Sequence, residues 1–160
     1  MANIKVGMAD YKIGKKEDIL VTLGLGSCVG IILYDKVKKI AGMAHIMLPS
    51  SKEIKNNSNK AKFADTAIEE MLKELISEGV SKTRLTSKIA GGAQMFNIAS
   101  KSDTLNIGKR NVISVKEKLS DLRISIIAED TLGNHGRTIE FNCDTGELLI
   151  KSIGKGKQIL

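Results

Sequence analysis

Apolar residues along this chain gather into short runs of strand length, punctuated by glycine, asparagine and aspartate. Ile4 to Met8 predicts a first strand, and the polar stretch Gly14-Lys15-Lys16-Glu17-Asp18 a turn after it. Ile19-Leu20-Val21-Thr22-Leu23 predicts a second strand, stopped by Gly24-Leu25-Gly26. A third runs from Val29 to Tyr34 and turns at Asp35-Lys36. A fourth, Ile40 to Met47, is closed by Pro49, which has no N–H for a sheet ladder. Runs this continuously apolar predict strands buried on both faces. The polar stretch from Ser50 to Lys60 reads as a loop. Beyond it Phe63, Ala64, Ala67, Ile68, Met71, Leu72 and Leu75 recur at three- and four-residue spacing, the mark of an amphipathic helix, with Gly79 as its stop. A second helix is predicted from about Lys109 to Leu122, with Val112, Val115 and Leu119 inward. Lys88-Ile89-Ala90 predicts a strand ending at Gly91-Gly92. Ile124 to Ala128, Thr138 to Phe141 and Leu148 to Ile153 complete the strands, the last pairing back across the turn Asn142-Cys143-Asp144-Thr145-Gly146.

The order is four strands, helix, strand, helix, three strands. That predicts an α+β fold, a mixed α/β layered sandwich with two main helices, and not a doubly wound alternation. With 160 residues and no repeat or linker, residues 1–160 are expected to form one domain. No apolar run approaches the roughly 18 residues that cross a membrane, and Met-Ala-Asn-Ile-Lys-Val lacks the core of a signal peptide. The expectation is a cytoplasmic protein without membrane insertion, its two cysteines free thiols. The net charge of +7 raises nucleic-acid binding. Aromatic residues at 3% and scattered lysines and arginines speak against it, and an acidic protein partner explains the charge equally well.

The candidate chemistry lies at two strand ends. Cys28 follows the glycine-rich turn Thr22-Leu23-Gly24-Leu25-Gly26-Ser27, and His45 closes the fourth strand. A thiol beside a sharp turn, with an imidazole one hairpin away, is the minimum apparatus of a cysteine hydrolase. Gly24 and Gly26 permit close backbone approach, and amides near Gly26 and Ser27 are candidate oxyanion donors. Because strand follows Cys28, activation is expected from a base, and His45 is the candidate. Thr22 reads equally well as the hydroxyl that orients this ring or as an ordinary strand residue. Other motifs fail. Val29 stands where a dinucleotide-binding loop needs its third glycine, and Cys28, His45, His135 and Cys143 lack zinc-finger spacing. No metal or cofactor is expected.

The segments VTLGLGSCVGIIL (21–33), AHIMLPS (44–50), KFADTAIEEML (62–72), KIAGGAQMF (88–96), NIGKRN (106–111) and AEDTLGNHGRTIEF (128–141) resemble, in order and over nearly the whole chain, the bacterial chemoreceptor glutamine deamidases of the CheD family. The resemblance implies a protein-glutamine glutaminase that converts chemoreceptor glutamines to glutamate, on a layered sandwich similar to cysteine deamidase toxins. It places the catalytic cysteine on Cys28, the histidine on His45 and the assisting threonine on Thr22. It also implies a partner, the CheC phosphatase, and with it an alternative: a non-catalytic module that only regulates that phosphatase. Phe96, at the end of Gly91-Gly92-Ala93-Gln94-Met95-Phe96, is the candidate partner anchor, or else a core residue. Asn134 stands where the family often has glycine, and is expected to tolerate a left-handed turn.

Overall fold

The computed structural model describes residues 2–95 and 106–160. Ten strands and two long helices follow one another as β1 (Asn3–Lys5), β2 (Asp10–Lys15), β3 (Ile19–Leu25), β4 (Val29–Asp35), β5 (Ile40–Ile46), α1 (Ala64–Ser77), β6 (Leu85–Gly91), α2 (Ile107–Asp121), β7 (Ser125–Thr131), β8 (Arg137–Asn142), β9 (Leu148–Ser152) and β10 (Gly156–Ile159). The strands form two five-stranded mixed sheets, ordered β1-β3-β8-β9-β10 and β2-β5-β4-β6-β7. The pairs β1–β3 and β6–β7 are parallel, and the others antiparallel. The expected α+β sandwich is what the chain adopts.

Three layers result. On β4, Val29, Ile31 and Leu33 face the helices, packing with Ala67, Ile68 and Met71 of α1 and Val112 and Val115 of α2. The alternate residues Ile32 and Tyr34 face the other sheet, against Leu20, Ile139 and Phe141. This period of two with apolar residues on both faces explains the unbroken apolar runs: every residue of β4 and β5 is buried. Close packing is helped by Gly42 on β5, where a Cβ would stand 2.7 Å from the Met71 sulfur of α1. α1 stops where expected, at Gly79 with φ +95° and with the Val80 amide donating back to the Leu75 carbonyl.

Two strands are additions to the expected set. The stretch expected as a turn from Gly14 is in part β2, an edge strand with only Gly14 buried, and β10 is exposed along its whole length. β2 is paired to β5 and packs Tyr11 and Ile13 against the helix-side core, whereas β10 is held by backbone pairing to β9. The first strand is also shorter than Ile4 to Met8, since the chain turns at Ala9, φ +55°. The left-handed positions in the loop after β7 are Leu132 and Gly133, so Asn134 does not carry the role expected of it. Phe96 lies outside the described residues.

Candidate active site

Thr22 faces His45 from the other sheet, β3 and β5 belonging to different sheets. The inward row of β3 is Leu20 and Thr22, and that of β5 is Ala41, Met43 and His45. Immediately after Thr22 the pairing with β8 slips: Thr22 opposes Ile139 while Leu25 opposes Arg137. That extra residue is a β-bulge, with Gly24 at φ +69°. It turns the chain out of one sheet, and Gly26, Ser27 and Cys28 carry it across to β4 in the other. The thiol therefore stands at the crossover between sheets.

Pleating places the thiol and the ring on one face. Val29 opposes Ile46, so Cys28 and His45 are diagonal neighbours across the β4–β5 hairpin, a relation that spans about 7–8 Å between backbones. Gly30 lies directly opposite His45. A Cβ there would come within 2.6 Å of Ile139 Cδ1, so glycine lets the two sheets close over the pair.

The Thr22 hydroxyl makes two buried contacts of 2.7 Å, one to the Val6 carbonyl and one to His45 Nδ1. A hydroxyl has one proton. The carbonyl can only accept, so Thr22 donates to Val6, and the contact with His45 must be donated by Nδ1–H. The ring is thereby assigned as the tautomer with its lone pair on Nε2. Nε2 is buried and has no hydrogen-bond partner among the described residues. Burial pushes the imidazole below its ordinary pKa. Burial likewise pushes the Cys28 thiol up, its own backbone amide opposing. Both shifts disfavour ions, so the resting pair is thiol and neutral imidazole, and the imidazole is a free base.

Cys28 opens onto a cleft of about 560 Å³ lined by Gly26, Ser27, Met47, Gln94, Met95 and the start of α2. The positive end of that helix thus borders the cleft, which the strand-like sequence after Cys28 gave no reason to expect. The His45 ring borders a smaller cavity of about 200 Å³ beside Val6, Met8 and Leu23. Of the amides near the thiol, that of Gly26 donates to the Gly24 carbonyl at 3.1 Å. Those of Ser27 and Cys28 donate to no other residue among the described residues, that of Cys28 lying against its own sulfur. A strap after β6 holds the loop from outside, Gly92 N–H donating to the Cys28 carbonyl and Ala93 N–H to the Gly26 carbonyl, at 2.8 and 2.9 Å. At Gly91, φ +110°, a Cβ would sit 2.3 Å from the Cys28 carbonyl oxygen.

Cys143 is also a free thiol but fully buried, its pKa pushed up to about 12 by burial. Its sulfur packs under Gly14, as a small hydrophobe does. His135 sits in the loop between β7 and β8, against Gly133. Among the described residues no group of three or more histidines, cysteines and acids could hold a metal ion, and no helix is long and apolar enough to cross a membrane.

The geometry gives an α+β sandwich with Cys28 and His45 on one face of one sheet and Thr22 facing that layer from the other, residue types that the class of thiol-dependent hydrolases uses. Comparison with known proteins narrows this. The family described as "CheD chemotactic sensory transduction" matches residues 47–152. A relative from Caldanaerobacter subterraneus subsp. tengcongensis is 59% identical over 96% of this chain and 94% of its own, and bears the name "Probable chemoreceptor glutamine deamidase CheD". One from Lachnoclostridium phytofermentans, of the same name, is 59% identical over 95% of this chain and 94% of its own. A third, from Halalkalibacterium halodurans, "Chemoreceptor glutamine deamidase CheD", is 51% identical over 97% and 96%. This chain belongs to the CheD family.

Proposed function

We propose that this protein hydrolyses the side-chain amide of selected chemoreceptor glutamines to glutamate, releasing ammonia, with Cys28 as nucleophile, His45 as base and Thr22 as the group that orients the ring. The observation that carries this is the buried Thr22–His45 hydrogen bond, which leaves Nε2 as a free base on the face that bears Cys28, in a chain whose relatives carry the deamidase name. His45 Nε2 takes the thiol proton as sulfur attacks the carboxamide carbon. The Ser27 and Cys28 amides donate to the resulting oxyanion. The imidazolium gives its proton to the leaving nitrogen, the C–N bond breaks, and a thioester remains. Water, deprotonated by the same nitrogen, attacks the thioester; the C–S bond breaks, glutamate leaves, and the proton returns to sulfur. Thiol, imidazole and water balance every step.

Residues 1–160 act as one cytoplasmic domain. It takes as partners the cytoplasmic helices of chemoreceptors, whose acidic character suits a net charge of +7, and a CheC-type phosphatase. The test pairs two readouts on wild type and Cys28→Ala: ammonia release from a receptor cytoplasmic fragment, and titration of binding to the phosphatase. The expected result is that the variant keeps binding and loses ammonia release. Ammonia release by neither protein, with binding by both, would replace the deamidase with a non-catalytic regulator.

A further inference from the structure

Asn111, on the inner face of α2, is completely buried among apolar residues. Its side-chain Nδ2 donates to two carbonyls, that of Ser27 at 2.9 Å and that of Met47 at 3.1 Å. With two carbonyl oxygens as partners only the NH2 end can face them, so the amide has one possible orientation. Oδ1 is then buried without a partner among the described residues, a cost that an apolar side chain at this position would avoid.

The two carbonyls flank the candidate catalytic residues. Ser27 immediately precedes Cys28, and Met47 is two residues past His45. The β4–β5 ladder ends at Val29–Ile46; beyond it the Met47 amide donates to Lys62, and the strands no longer pair. Asn111 supplies the next rung from a third element. One turn along α2, Ser114 donates to the Pro49 carbonyl at 2.6 Å and extends the same seam.

The contact with Ser27 has a second effect. In a planar trans peptide the C=O of one residue and the N–H of the next point in opposite directions. Holding the Ser27 carbonyl toward α2 therefore turns the Cys28 N–H away from α2, and that amide donates to no other residue among the described residues.

We infer that Asn111 is a positioning residue: through the Ser27 carbonyl it aims the Cys28 amide at the oxyanion, and through the Met47 carbonyl it fixes the spacing of thiol and imidazole. The inference rests on the deamidase reading and adds a residue to it.

Asn111→Leu tests it, because an apolar side chain of similar size cannot donate to either carbonyl. Asn111→Ser, with one hydroxyl donor, serves as the second variant in case the first does not fold, circular dichroism being the check. Steady-state deamidation of a receptor cytoplasmic fragment is measured beside the rate of iodoacetamide alkylation at Cys28, resolved by peptide mapping. Alkylation builds no oxyanion and uses the thiol alone. The expected result for a folded variant is a kcat lower by about 10- to 100-fold, in the range of a lost or misaimed oxyanion donor, with KM and alkylation rate within about threefold of wild type. Unchanged kcat, or kcat and alkylation falling together, overturns the inference. Failure of the wild-type protein to convert glutamine overturns the deamidase reading and the inference with it, an outcome distinct from an active wild type with an equally active variant.

Discussion

Replacing Thr22 with valine removes one hydroxyl and keeps the shape of the side chain. In the native protein that hydroxyl satisfies the Val6 carbonyl and His45 Nδ1–H, each at 2.7 Å, where Thr22 and His45 are each 1% exposed. Valine leaves a carbonyl and a ring N–H unpaired, at about 1–3 kcal/mol for each buried group, so a loss of about 2–6 kcal/mol of stability is expected. The ring has an escape: moving its proton to Nε2 relieves the unpaired Nδ1–H. That puts a hydrogen on the nitrogen that must accept the thiol proton. A bias of about 1–3 kcal/mol lost from the productive tautomer corresponds to roughly a 5- to 150-fold fall in kcat. Thr22→Ser restores the donor and acceptor and should recover most of that fall. The assay is ammonia release under saturating receptor fragment, at a temperature where urea unfolding shows both variants folded. A folded Thr22→Val within about twofold of wild-type kcat, or a serine variant as slow as the valine one, would refute the reasoning.

Burial holds the folded-state pKa of His45 below the value of about 6.5 in an unfolded chain. The unfolded state therefore takes up the proton first, and stability present above about pH 6.5 is lost as pH falls toward the folded value; urea unfolding from neutral to mildly acidic pH should show a slope that His45→Leu flattens, and equal slopes would contradict it. For the same reason the acid limb of kcat should lie below the usual histidine range; a limb above it would contradict the burial argument. Burial of Cys28 predicts that its iodoacetamide alkylation rises with a midpoint above the ordinary thiol value of about 8.5, whereas a midpoint below it would reveal a thiolate–imidazolium pair at rest. Gly30→Ala, whose Cβ would press on Ile139 at 2.6 Å, should cost about 1–3 kcal/mol by overpacking, and an unchanged urea midpoint would show that the sheets have slack.

The architecture was legible wherever burial imposed a period. α1, with buried positions at three- and four-residue spacing, and the central strands β4 and β5 follow directly from their residues. β2 and β10 did not: β2 turns only Tyr11 and Ile13 to the core from among polar residues, and β10 is exposed and held by backbone pairing to β9. Cys28 and His45 stood out as polar groups ending apolar runs. Thr22 did not, because Ile19 to Leu25 is apolar throughout except for it and one glycine, and nothing local says which residues face inward or that the partner lies in the opposite sheet. Asn111 was hidden for a related reason: its role comes from two loops 84 and 64 residues away, while locally it reads as an ordinary polar helix residue. The one legible hint was its place beside Val112 on the face that also carries Val115 and Leu119.

On this mechanism the Cys28 thiol itself converts a receptor glutamine to glutamate. Peptide-resolved mass spectrometry of a purified chemoreceptor cytoplasmic fragment, after incubation with wild-type protein and with Cys28→Ala, tests it most directly. Glutamate at defined former glutamine positions with the wild type, and none with the variant, is the predicted result. Equal conversion by both proteins, or none by a folded wild type, would contradict it.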